Sequence, residues 1–157
     1  MGARRYYEDL ELGAVAYSGE KAVSEEEIVA FARQYDPQYF HVDPEAAKAS
    51  RFGGLVASGI HNLAIWRRLD HEIASDIAWI CGVGMDEIRL LNPVRPGDRL
   101  RARAECVSKR PSKRDPGRGV VVFRYSLVNQ RDETVLSFLS TNLVERACAG
   151  EQSTEQS

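Results

Sequence analysis

Three cysteines in 157 residues, Cys81, Cys106 and Cys148, show no C-x-x-C spacing. A disulfide framework or a thiolate zinc site is therefore not expected. No stretch approaches the roughly 18 consecutive apolar residues that a membrane helix needs. Residues 1–12 carry Arg4, Arg5, Glu8, Asp9 and Glu11 where a signal peptide would have an apolar core. The expected compartment is the cytoplasm, with no membrane partner. A surplus of one charge is missing too: 21 Lys+Arg against 23 Asp+Glu give a formal charge of −2. That excludes nucleic-acid binding driven by net charge, and a hydrophobic content of 43% excludes an acidic disordered chain. Histidines are few. His61 and His71 do not share an i, i+4 face, and His41-Val42-Asp43 is a thin motif, so no metal site is expected.

What is present is enough patterned chain for one domain, taken here as residues 1–148, with 149–157 too polar to bury apolar area and expected to be a disordered tail. Ser24-Glu25-Glu26-Glu27 reads as a capping box. Ile28, Val29, Phe31, Ala32 and Tyr35 then recur at helical spacing, which predicts an amphipathic helix over 25–35, closed by Pro37. Asp43-Pro44-Glu45 opens a short helix through 49. Residues 59–75 form a further helix, whose Ile60, Leu63, Ala64 and Trp66 give an apolar face broad enough to be surrounded by protein. From Met85 the period becomes two, predicting strands at 85–91, 99–107, 120–129 and 134–145, with an early strand near 13–22 and a turn-rich tip at 111–119. The sum is an α+β domain in which an antiparallel sheet curves around one apolar helix.

Two segments carry candidate chemistry. In Asp36-Pro37-Gln38-Tyr39-Phe40-His41 a carboxylate and an imidazole lie five positions apart across a broken helix end. The helix dipole disfavours an acid at that end, so Asp36 needs a reason to be there. It either closes a turn after Pro37 or serves as a proton acceptor beside His41. In Phe52-Gly53-Gly54-Leu55-Val56-Ala57-Ser58-Gly59-Ile60-His61, Ser58 is a candidate N-cap. The free N–H of Gly59 is either simply capped and packed, or aimed at an oxygen gaining negative charge.

The run D-P-Q-Y-F-H-V-D-P, followed by F-G-G-L-V-A-S-G-I-H, resembles the MaoC-like dehydratase family, which includes the (R)-specific enoyl-CoA hydratases. The likeness covers roughly residues 10–146, and the later P-V-R-P-G-D segment resembles the family's strand-opening turn. It implies a hot-dog fold: a curved antiparallel sheet around a long central helix, an overhanging short-helix segment, and a dimer or higher even oligomer. It implies Asp36 and His41 as the catalytic pair, and Gly59 and Ser58 as the residues at the thioester oxygen. The substrate would be an enoyl group on CoA or on an acyl-carrier protein, with no cofactor beyond the CoA of the substrate. Two positions depart from the family pattern. The usual Asn-Pro is Gln38-Tyr39, and the bulkier Tyr39 is expected to narrow or reshape the pocket. Ser58 replaces the histidine of H-G and is expected to remove a polar contact.

Rival functions remain at this point: a thioesterase of the same fold, or a non-catalytic subunit that binds acyl thioesters. Arg99, Arg101, Arg103, Arg110, Lys113, Arg114 and Arg118 form a basic face, read first as a solvated strand face and second as a contact for carrier phosphates. Trp66 and Trp79 read as core or dimer-interface residues.

Overall fold

The computed structural model describes residues 2–147; the expected tail at 149–157 lies outside them. The capping box forms as expected: Ser24 Oγ accepts from the Glu27 N–H at 3.2 Å, and Glu27 accepts from the Ser24 N–H at 2.8 Å. Helix α1 spans Glu25–Tyr35. Two single-turn helices follow, α2 (Tyr39–Val42) and α3 (Pro44–Ala47). The second is capped by Asp43, whose Oδ1 accepts from the N–H groups of Glu45 and Ala46. Helix α4 runs Gly59–Ala74. The strands are β1 (Val15–Tyr17), β2 (Lys21–Ala22), β3 (Trp79–Leu90), β4 (Arg99–Pro111), β5 (Arg118–Val128) and β6 (Thr134–Glu145).

Three sequence expectations need correction. The early strand is two short pieces, both paired with β4. Strand β3 begins six residues before Met85, because Gly82 and Gly84 interrupt the alternation that a period-two reading depends on. Strand β4 continues to Pro111 through a bulge between Cys106 and Ser108, so the tip is shorter than expected.

The antiparallel sheet has the order β1-β4-β5-β6-β3, with β2 also on β4. Its inward row includes Leu100, Ala102 and Ala104 of β4, Phe123, Tyr125 and Leu127 of β5, and Leu136 and Phe138 of β6, all buried. Helix α4 presses Ile65, Trp66 and Leu69 into this row. The Trp66 ring meets Tyr125 and Phe138, each at 4.6 Å between centroids, and the Phe138 contact is edge-on at 90°. Such aromatic pairs add to what area burial alone provides. Small side chains at Ala102 and Ala104 let the sheet close on the helix. At the other end of β5, a Cβ on Gly119 would collide with the Tyr7 ring, so only glycine fits there.

On the outer face, Arg99, Arg101 and Arg103 pair with Glu20, Asp132 and Glu105. This part of the basic face is paired with neighbouring acids. Among the described residues, no helix is long and apolar enough to cross a membrane.

One buried charge sits on the inner side of α4. Asp70 is 1% exposed, and burial pushes its carboxyl up to about 6, only partly offset by the Arg67 guanidinium at 3.1 Å. Folding therefore takes up a proton between about pH 4 and pH 6, and stability falls as pH rises through that window. The cost above pH 6 is on the order of 2–3 kcal/mol. Asp70→Asn is expected to raise Tm at pH 8 and to lose that advantage as pH approaches 4. A pH-independent difference in thermal melts would contradict this.

Candidate active site

Proline 37 stops α1, and the chain turns at Asp36, which takes the C-cap position with φ −152° and ψ 74°. The turn is a backbone one: the Gln38 N–H donates to the Asp36 carbonyl at 2.9 Å. The Asp36 carboxylate is thereby left for other work, and its Oδ2 accepts from Ser58 Oγ at 2.7 Å. His41 N–H donates to the Gln38 carbonyl at 2.9 Å, winding α2 so that the imidazole turns inward to 7% exposure. Phe40, half-buried, packs edge-on against it at 4.6 Å.

The imidazole is oriented from behind. His41 Nδ1 lies 2.6 Å from the Val56 carbonyl, which can only accept, so Nδ1 carries the proton. In the neutral ring Nε2 is then a bare lone pair, and it faces Asp36 Oδ2 at 3.5 Å. That separation exceeds the roughly 2.7–2.9 Å of a close charge-assisted bond. The two acceptors stand side by side, and both are within reach of one water molecule.

The segment that supplies Val56 is pinned on both sides. Val56 N–H donates to the Phe40 carbonyl at 3.1 Å and Ala57 N–H to the Val94 carbonyl at 2.9 Å. This delivers Ser58, fully buried, to the start of α4, where its Oγ also accepts from the Ile60 N–H at 3.2 Å. Gly59 is the first residue of α4, so its own N–H has no intrahelical carbonyl. A Cβ on Gly59 would run into the Leu90 side chain of β3. Glycine therefore lets the end of β3 lie directly over the helix start.

The structure thus brings Asp36, His41, Ser58 and Gly59 together at the junction of α1, α2 and α4. His61 and His71 take no part: His61 stacks on Phe31 at 4.5 Å, and burial pushes its imidazole below the usual range.

The sequence profile of the family described as MaoC like domain matches residues 13–124, a stretch that holds both motifs. This chain belongs to the MaoC-like dehydratase family. A MaoC-like dehydratase of Rhodospirillum rubrum superposes with a TM-score of 0.86 at 39% identity, covering 92% of this chain and 99% of that one. The uncharacterized protein YdeM of Bacillus subtilis is 34% identical over 142 residues, 88% of this chain and 98% of its own length. The 3-hydroxyacyl-thioester dehydratase Z of Mycobacterium tuberculosis is 35% identical over 88 residues, 54% of this chain and 58% of that protein. The architecture described above is the hot-dog fold, with α4 as the enclosed helix.

Both departures from the family motif behave differently from expectation. Tyr39 is 51% exposed and lies against Phe40 at 5.1 Å, so the ring beside the imidazole is Phe40 and not Tyr39. Ser58 supplies a polar contact where the loss of one was expected, because its short hydroxyl reaches both Asp36 and the helix N-terminus. The Val56 carbonyl was invisible to sequence reasoning, since a backbone acceptor carries no side-chain signature. Leu90 was missed as well, because only the folded sheet lays it on Gly59.

The orientation of the MaoC-like site's imidazole is directly measurable. Nitrogen NMR of neutral His41 is expected to show a protonated Nδ1 and an unprotonated Nε2. The opposite tautomer would mean that the Val56 contact does not set the ring.

Proposed function

We propose that this protein adds water across the double bond of a trans-2-enoyl thioester, carried on CoA or an acyl-carrier protein, to give an (R)-3-hydroxyacyl thioester. Run backwards, it is a 3-hydroxyacyl-thioester dehydratase. The observation that carries the reading is the pair His41 Nε2 and Asp36 Oδ2, 3.5 Å apart and joined through Ser58 to the start of α4.

Hydration makes three demands: a water must be positioned and deprotonated, C2 must receive a proton, and negative charge on the thioester oxygen must be stabilised. Asp36 and His41 grip the water, its hydroxyl adds to C3, and the proton that the pair takes up passes to C2. Because Asp36 Oδ2 and His41 Nε2 face the same space 3.5 Å apart, the base is assigned to the pair and to neither residue alone. The Gly59 N–H, at the positive end of a 16-residue helix, holds the oxyanion. With water held on one side of the substrate, addition to a single face follows. The reaction is redox-neutral, so it calls for no redox cofactor. The dehydratase activity named for the mycobacterial relative agrees with this assignment.

A second copy of the chain completes the arrangement. Strand β3 is a sheet edge, and Ile80, Val83, Met85, Ile88 and Leu90 along it are all exposed. An uncovered apolar edge of this kind is a pairing surface. Its pairing is interrupted between Asp86 and Arg89, where Glu87 adopts a φ of +53°.

Purified protein given crotonyl-CoA is expected to abolish the enoyl absorbance while releasing no free thiol. Thiol release would indicate a thioesterase, and binding without turnover a non-catalytic subunit. Gly59→Pro provides the internal check, because Leu90, 60% exposed, has room to swing its side chain off the added Cβ. Ser58 already has ψ 142°, which suits a residue before proline, and proline is at home in a helix's first turn. A folded Gly59→Pro protein is expected to lose about 10²–10³-fold in kcat. Full turnover would remove Gly59 from the mechanism.

A further inference from the structure

A cavity of about 460 Å³ lies between α4 and the free edge of the sheet, away from Asp36 and His41. That volume falls within the range of small-molecule sites. Its lining is not that of a hydrocarbon pocket. The inward row of β6 is apolar at Leu136, Phe138 and Val144, all fully buried, but polar at the two positions that face the cavity, Ser140 and Asn142. Burying polar side chains in a core row is costly unless they gain partners. Here Ser140 and Asn142 have mainly each other: Ser140 Oγ donates to Asn142 Oδ1 at 3.3 Å, and Asn142 Nδ2 donates to the Ser140 carbonyl at 3.1 Å.

The opposite side of the cavity adds donors. Arg67 of α4 lines it with a half-exposed side chain, and Tyr125 of β5 lines it from below. Arg67 is shared with Asp70, whose other oxygen is buried without a hydrogen-bond partner. Asp70 engages the guanidinium through Nη1, at 3.1 Å. The space itself comes from Gly82 and Gly84 of β3. Gly82 pairs with Asn142, and a Cβ on Gly82 would stand 3.4 Å from the Asn142 Oδ1. Any larger side chain there would occupy the cavity.

Along α4, eight residues separate Gly59 from Arg67, which is about 12 Å of helix. A thioester whose carbonyl sits at Gly59 therefore has the cavity within reach of the far end of a medium-length acyl chain. We propose that the cavity receives that end and selects tails that finish in a hydrogen-bond-accepting oxygen, a carboxylate or a hydroxyl, over hydrocarbon tails. Arg67 and Tyr125 are the recognising groups, with Ser140 and Asn142 as the polar floor. The inference rests on the enoyl-thioester reading above and adds the substrate class to it. A methyl-ended tail would leave these polar groups facing hydrocarbon, the situation in which sites built for hydrogen bonding discriminate most strongly.

The test compares kcat/KM for 2-enoyl-CoAs about ten carbons long, matched to the ~12 Å span, ending in a methyl, a hydroxyl or a carboxylate. Crotonyl-CoA, too short to reach the cavity, is the reference. An oxygenated tail is expected to exceed the methyl-ended one by about tenfold or more, and comparison of the two oxygenated arms shows which group Arg67 favours. In Tyr125→Phe and in Arg67→Gln that ratio is expected to fall towards one. Tyr125→Phe keeps the tilted ring contact with Trp66, so it remains informative if loss of the Asp70 partner unfolds Arg67→Gln. Gly82→Val is expected to depress all three long substrates relative to crotonyl-CoA. Equal or better turnover of the methyl-ended tail, or a ratio unmoved in the variants, would overturn the inference while leaving hydration intact. If crotonyl-CoA itself is not hydrated, the enoyl-thioester reading falls, and this inference with it.

Discussion

The hydroxyl of Ser58 is the joint on which the site depends. It closes the first turn of α4 by accepting from Ile60, and with its own proton it fixes the carboxylate at the end of α1. Two helix ends of opposite polarity meet through this one oxygen. The dipole of α1 opposes a negative charge at Asp36, whereas the start of α4 favours it. Moving the carboxylate from the first helix to the second is therefore an electrostatic gain. It also ties the acid to Ser58, the residue directly before Gly59 in the chain.

The rest of the fold holds that joint in place. Trp66 and Leu69 anchor α4 in the sheet's inward row, so the helix start cannot drift relative to the strands. The segment through Val56 is fastened to Phe40 on one side and Val94 on the other, and its remaining carbonyl sets the imidazole ring. The proposed hold on a water between two side chains needs this rigidity, because misplacement by an ångström costs rate steeply. On the far side lie the exposed β3 edge, proposed to pair with a second copy, and the polar cavity beneath it, proposed to receive the acyl tail.

Much of this was legible in the residue pattern. The capping box, the limits of α1, the enclosed helix and the long alternating strands all follow from local rules, and Ser24, Pro37 and the arginine rows of β4 announce them. Asp36 drew notice because an acid at a helix C-terminus calls for an explanation, and it was the resemblance to the MaoC-like family that paired it with His41. What was hidden depends on contacts distant in sequence. The early part of β3 contains two glycines that erase its alternation. The Val56 carbonyl has no side-chain signature, and Tyr39 and Phe40 could be told apart only once α2 had formed its single turn. The placing of Ser140 and Asn142 together on the helix side depends on the register of the folded sheet.

The central claim is that Asp36 and His41 act on one shared water molecule. Its most direct test is a double-mutant cycle on crotonyl-CoA hydration, using Asp36→Asn, His41→Gln and the combined variant. If the two groups work as one unit, each single change removes nearly all of kcat/KM, about 10²–10⁴-fold, and the combined variant is no worse than either. Losses that multiply in the double variant, or near-normal turnover by Asp36→Asn, would contradict the account.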